Sequence, residues 1–120
     1  MPRVRLVTHE GRVVVLIDAS QMEVEDARKV FLEERALVAS QPKGSALTLT
    51  DVSGTPLEDS LVTTVRETVA ANAPYVKAGA VVGVTGLKKM ALNTINLLTS
   101  RNLRAFSTRE QALAWLAQQG

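Results

Sequence analysis

Residues 46–86 read ALTLTDVSGTPLEDSLVTTVRETVAANAPYVKAGAVVGVTG, and the fold turns on a change of period inside that stretch. Leu47 and Leu49 alternate with Thr48 and Thr50, the period of a strand with one apolar and one polar face. At Thr55-Pro56-Leu57-Glu58 the pattern changes: threonine followed three residues later by glutamate makes a capping box, and proline suits a first helical position. Leu57, Leu61, Val65 and Val69 then recur every four residues, as a helix requires, until Asn72-Ala73-Pro74. The residue before a proline is driven out of the helical region, so the helix ends there. Ala80 to Val84 follows as a small, dense apolar strand. Strand, helix and strand in this order predict two parallel strands joined by a right-handed crossover.

Working outward, Val4 to Val7 and Arg12 to Ile17 are rich in β-branched residues and are split by His9-Glu10-Gly11, a hairpin signature. Beyond Ser20, Val24, Ala27, Val30, Phe31, Leu37 and Val38 recur at helical spacing, with Glu25, Asp26, Lys29, Glu33 and Arg35 between them. Gln41-Pro42-Lys43-Gly44 stops this helix just after Ser40. On the other side, Thr85-Gly86 opens a third helix whose stripe, Leu87, Met90, Ala91, Ile95 and Leu98, is assigned to the core together with Leu97, while Asn93 and Asn96 are assigned to solvent. Leu103 to Phe106 reads as a short strand, and Ser107-Thr108-Arg109-Glu110 as a capping box before a last helix through Leu113 and Leu116. The order is β-β-α-β-α-β-α-β-α. It predicts one α/β domain over residues 1–120, with a mostly parallel five-stranded sheet and an antiparallel first strand at an edge. The charged start of that strand, near Arg3, guards it against open-ended pairing, and a closed homodimer stays open.

Composition narrows the chemistry. A chain of 120 residues with 46% apolar and 22% charged side chains has the means for one packed core. The absence of cysteine excludes disulfides, thiolate metal sites and cysteine nucleophiles, and with a single histidine, His9, a structural zinc site would need carboxylates for most of its ligands, which is rare. The start Met-Pro-Arg-Val-Arg lacks the apolar run of a signal peptide, and nothing spans a membrane, which together imply the cytoplasm. Net charge is +2, yet residues 1 to 72 carry −3 and residues 73 to 120 carry +5. The basic half suits an anionic ligand or an acidic partner. Its cations are too few and scattered for nucleic acid, and four aromatic residues provide no base-stacking platform.

Three passages carry a resemblance: Leu49-Thr50-Asp51-Val52-Ser53 closing the third strand, Ala80-Val81-Val82-Gly83-Val84-Thr85-Gly86-Leu87 entering a helix, and the run from Ala105 to Leu116. With the element order, they resemble the STAS (SpoIIAA-like) family of bacterial anti-sigma factor antagonists, and within it the small bacterial proteins grouped with the CRAL-TRIO lipid-transfer fold. The resemblance implies a right-handed β-α superhelix, no catalytic centre and no cofactor. It also implies a regulatory or protein-interaction role, with an anti-sigma-factor-like partner, or alternatively a lipid or anionic ligand held between helices and sheet. In the family a serine of an Asp-Ser-Ser-Gly motif, at a helix start, is phosphorylated to switch partner binding. Here Glu58-Asp59-Ser60-Leu61-Val62 supplies Asp59 and Ser60 but neither the second serine nor the glycine. Ser60 is the phosphoacceptor candidate, Ser53 a second, and Asp51 and Asp59 are candidates for the partner-facing loop.

Other constellations stand on the residues themselves. Gly83-Val84-Thr85-Gly86-Leu87-Lys88-Lys89 lies at a strand-to-helix junction, where free amides accept anions and lysines add charge, so Thr85, Gly86, Lys88 and Lys89 are anion-binding candidates. The spacing matches neither the Walker loop nor the dinucleotide fingerprint, which leaves nucleotide or phosphate binding as a third function. Arg101 and Arg104 would join that site if folded nearby. Asp18 and Asp51 end neighbouring strands; two carboxylates there suit magnesium, or each caps the loop it enters, and the second reading is preferred. No metal centre is assigned. His9 reads as a solvated turn residue, and Trp115 as the closing edge of the core or an anchor for a partner.

Overall fold

The computed structural model describes residues 2–119. Its elements run β1 (Val4–His9), β2 (Arg12–Asp18), α1 (Val24–Ala39), β3 (Ala46–Asp51), α2 (Asp59–Asn72), β4 (Val76–Val82), α3 (Leu87–Thr99), β5 (Arg104–Phe106) and α4 (Arg109–Ala117). The strands form one sheet in the order β1-β2-β3-β4-β5, antiparallel between β1 and β2 and parallel elsewhere. This is the α/β arrangement the alternation of periods predicts. The β1–β2 hairpin closes through Glu10 and Gly11, both at positive φ, between the paired His9 and Arg12. That backbone twist matches the twist of the two strands.

Side-chain alternation sorts the sheet into two faces. Val15 and Ile17 of β2 pack with Ala27, Val30, Phe31 and Val38 of α1 and Leu61 of α2. On the opposite face Val14, Leu16, Leu47, Leu49, Ala80 and Val82 pack under Ala112 and Leu116 of α4. Val81 points away from α4 and meets Leu92 of α3, so α3 shares the face of α1 and α2. Every residue from Val14 to Ile17 is buried, as expected for a strand covered on both sides. The polar face of β3 lies under the three-helix layer, where Thr48 is buried and Thr50 is half-buried.

Several local expectations change. The capping box at Thr55–Glu58 does not form: α2 begins at Asp59, after the extended Glu58, which makes no side-chain cap. Thr55 is instead buried and donates its hydroxyl to the Ala19 carbonyl at 2.6 Å, tying the β3–α2 loop to the β2–α1 loop. The last capping box is shifted by one residue. Thr108 accepts from the Gln111 amide and the Gln111 side chain accepts from the Ser107 amide, both at 3.2 Å. The largest correction concerns α3, which buries Leu92 and Ile95 but leaves Leu87, Met90, Leu97 and Leu98 between 60% and 81% exposed. The apolar stripe is wider than the sheet can cover, because α3 lies over the margin of a sheet whose last strand has three residues. Asn96 turns inward and brackets Leu103, donating to its carbonyl at 3.0 Å and accepting from its amide at 2.9 Å. No helix among the described residues is long and apolar enough to cross a membrane.

Candidate functional site

The carboxyl-terminal edge of the parallel strands gathers most of the polar candidates. Asp18 and Asp51 sit side by side in register at the ends of β2 and β3. Each caps the loop it enters: Asp18 Oδ1 accepts from the Ser20 amide at 3.2 Å, and Asp51 Oδ1 accepts from the Ser53 amide at 2.9 Å. Arg109, in the first turn of α4, bridges both, with Nε 2.8 Å from Asp51 and a terminal nitrogen 3.2 Å from Asp18. Arg3 adds a contact to Asp18 at 3.3 Å. Burial alone would raise both carboxyls, but the hydrogen bonds from Ser20 and Ser53 and the arginine charges outweigh it and hold both below the usual range. The pair is thus ionised and neutralised within the chain. Asp51, assigned from the sequence to the partner-facing loop, is buried in this network. Among the described residues, no group of three or more metal-ligating side chains could hold a metal ion.

Gly83 shows how closely the neighbouring loops approach. Its φ of +86° suits glycine, and a Cβ there would lie 2.4–2.6 Å from Ser53. Ser53 is therefore wedged, half-buried, against the β4–α3 junction. Asp59 and Ser60 are both exposed in the first turn of α2, where free amides face outward.

The two lysines of α3 part company. Lys88 leans toward β3 and donates to the Val52 carbonyl at 2.8 Å. Burial pulls its ammonium below the usual value, against the pull of Asp51. Lys89 is exposed and, with Thr85, lines one lip of an open crevice of about 360 Å³; Ser107 and Gln111 line the other lip, and Val84 and Phe106 lie between. Gly86 lies outside that lining. Arg101 reaches the Val76 carbonyl at the start of β4, and Arg104 lies over both Phe106 and Trp115, at 5.9 and 5.6 Å from their ring centres, so neither arginine joins the lysines. Trp115 packs against Phe106 with ring centres 5.4 Å apart and closes the edge of the core.

The crevice has a topological cause. The chain leaves β4 for α3 on one face and leaves β5 for α4 on the other, so the two connections diverge and open a gap between adjacent strand ends. Open α/β sheets bind ligands at such divergence points. The starts of α3 and α4 both border it, and its volume falls in the range of roughly 300 to 1,000 Å³ usual for ligand pockets.

Two further spaces lie under the helical layer. An apolar cleft of about 100 Å³ separates α2 from α3, walled by Leu61, Val65, Val69, Val81, Leu92 and Ile95 and bordered by Lys88. Next to it lies a cavity of about 40 Å³ with polar walls that include Glu34, Thr48, Thr68, Asn72 and Arg101. Glu34 is only 5% exposed and accepts from the Asn72 amide at 3.1 Å. Burial pushes its carboxyl up to about 8, against the opposing effects of Arg35 and Asn72, so it is protonated at neutral pH. The helix pair is laced by Arg28 to Thr64 at 2.9 Å and Arg35 to Thr68 at 3.0 Å. The periodicity of α1 contains the signal for Glu34, which falls on the buried stripe four residues after Val30 and four before Val38.

Fold and site together define an open-sheet α/β protein with a ligand-sized crevice where its connections diverge. Comparison of the chain with protein-family models, curated proteins and solved structures gives no match.

Proposed function

We propose that the protein is a small non-enzymatic binding module that takes an anionic ligand in the crevice between the ends of β4 and β5. The observation that carries this reading is the crevice itself. It is ligand-sized, it sits at the divergence point of the sheet, and Thr85, Lys89, Ser107 and Gln111 line it beside two helix starts. An anion there meets the positive ends of two helix dipoles and one lysine, with the ionised aspartates already paired with Arg109 and Arg3. The resemblance to the small SpoIIAA-like proteins grouped with the CRAL-TRIO fold supports the same class, a ligand-binding module, and a cytoplasmic setting in a bacterium goes with it. A whole lipid is a poor match for the apolar cleft, whose 100 Å³ is well below the usual pocket range unless α3 swings outward.

A second reading, a STAS-like regulatory domain, is favoured by a separate observation. Ser60 is exposed in the first turn of α2, and α3 presents an uncovered apolar face, a feature common at protein contact sites. Native mass spectrometry of gently purified protein, followed by denaturing intact mass, separates the two. A non-covalent adduct lost on denaturation supports the ligand module, whereas a bare chain that captures a protein partner through Ser60 and α3 favours the regulatory domain.

A further inference from the structure

Of the seven apolar side chains of α3, only Leu92 and Ile95 are buried. Leu87, Met90, Leu97 and Leu98 stand exposed, and Leu57, just before α2, extends the patch across the mouth of the α2–α3 cleft. These five expose on the order of 500 Å² of apolar surface, about the largest patch an ordinary monomer shows. A rim that includes Val62 and Asn93 brings the face toward the ~800 Å² that each partner contributes to a standard interface. The exposed residues also form a seam. Leu87, Ala91, Thr94 and Leu98 follow one another at steps of four, three and four, the spacing of a helix–helix contact. That series reads the same in either direction, with leucine at both ends and small side chains in the middle.

A two-fold interface requires such a surface, because each residue that meets a second residue on the partner must itself be met there in return. We propose that the protein forms a homodimer in which α3 packs antiparallel on α3 of a second copy. With the axis between Ala91 and Thr94, Leu87 faces the partner's Leu98 at both ends and Ala91 faces the partner's Thr94, so the backbones approach closely at the crossing. The seam carries no charge, and the Thr94 hydroxyl already donates to the Met90 carbonyl at 3.1 Å, so its burial orphans no polar group. Charge selects the same orientation. Glu58 and Asp59 are exposed where α2 begins, at the end of the cleft that holds Leu57 and Lys88, while α3 has no acidic residue and is followed by Arg101. An antiparallel copy sets this acidic end over the partner's Arg101 and opposes the two helix dipoles, whereas a parallel copy sets acid on acid. Lys89 lies on the flank of α3 that lines the crevice, away from the seam, so the crevice stays open in each copy and the dimer does not depend on its ligand.

Sedimentation velocity of the full chain, over concentrations from about one to several hundred micromolar, reads the assembly directly. The species expected at the upper end has twice the 12.9 kDa of the chain. Leu98→Glu and Leu87→Lys change exposed positions outside the core, so each should weaken the dimer about tenfold or more with an unchanged circular dichroism spectrum. The double variant Leu87→Lys/Leu98→Glu should dimerise severalfold more tightly than either single variant at low ionic strength, because each lysine meets the partner's glutamate. Within one chain the two positions are about three helical turns apart and do not pair. The proposal is overturned if the chain stays monomeric throughout that range, if either single variant dimerises as the wild type does, or if the double variant is no tighter than the single ones. A monomer that instead carries α3 onto vesicles of phosphatidylcholine and phosphatidylglycerol, or onto a different protein, overturns it as well.

Discussion

Replacing Glu34 by glutamine should stabilise the protein at neutral pH, and the gain should follow a defined pH course. In the unfolded chain this carboxyl releases its proton near 4.5, whereas the fold holds the proton until about 8. Between those values the folded state binds more protons than the unfolded one, so stability falls as pH rises from 4.5 to about 8 and levels off above. Each pH unit is worth about 1.36 kcal/mol, so by pH 7 the wild-type chain has lost about 3 kcal/mol of the stability it has at pH 4.5. Glutamine keeps the shape and the acceptor that Asn72 uses, at 3.1 Å, but has no proton to lose. Glu34→Gln should therefore exceed wild type by up to about 3 kcal/mol at pH 7, on the order of 10 °C in melting temperature for a domain of this size. Near pH 4.5 the two should agree within about 1 kcal/mol. The depressed carboxyls of Asp18 and Asp51 act elsewhere: their stabilisation is lost only as pH falls below their ordinary value of 3.8, and it cancels between the two proteins. Urea denaturation of both proteins at several pH values from 4.5 to 9 measures the difference. A gain that does not vary with pH, or no gain at pH 7, would refute the assignment of Glu34 as a buried protonated acid.

Two substitutions test other parts of the framework. Gly83→Ala should cost about 2 kcal/mol or more, because alanine is strained at the observed positive φ and its methyl meets Ser53; an unaltered denaturation midpoint would mean that the β3–α2 loop does not lie against this junction. Arg109→Met should destabilise by about 1 to 3 kcal/mol at pH 7, discounted for the partial exposure of the arginine, since it leaves Asp18 and Asp51 side by side without their shared counter-charge. Part of that loss should be recovered as pH falls through the range where the aspartates protonate, and a loss independent of pH would assign the cost to packing alone.

The β-α-β unit of residues 46–86 was legible because its periods are clean and its breaks are chemically marked. The hairpin at Glu10-Gly11 was legible for the same reason. What failed was side-chain direction. The third helix carries apolar residues around more than half its circumference, and periodicity alone could not say that Leu92 and Ile95 face the sheet while Leu87, Met90 and Leu98 face water. Thr55 has the spacing of a capping residue, but a distant backbone carbonyl, that of Ala19, competes for its hydroxyl and wins. Thr85 and Lys89 were legible as residues of a strand-to-helix junction. Ser107 and Gln111, across the gap, could be joined to them only by the path of the chain over the two faces of the sheet. Arg109 was visible as part of a capping sequence, while its bridge to two aspartates is a tertiary fact. Glu34 was the one buried group with a local sign, a charge set on an apolar stripe.

The most direct test of the anion-binding account is an amide chemical-shift titration of the full chain with inorganic phosphate, repeated on Lys89→Ala. The account predicts saturable shifts centred on Val84, Thr85, Lys89, Phe106, Ser107 and Gln111, weakened about tenfold in the variant. Shifts spread over the half-buried arginines of the hairpin, Arg5 and Arg12, or an affinity indifferent to Lys89, would contradict it.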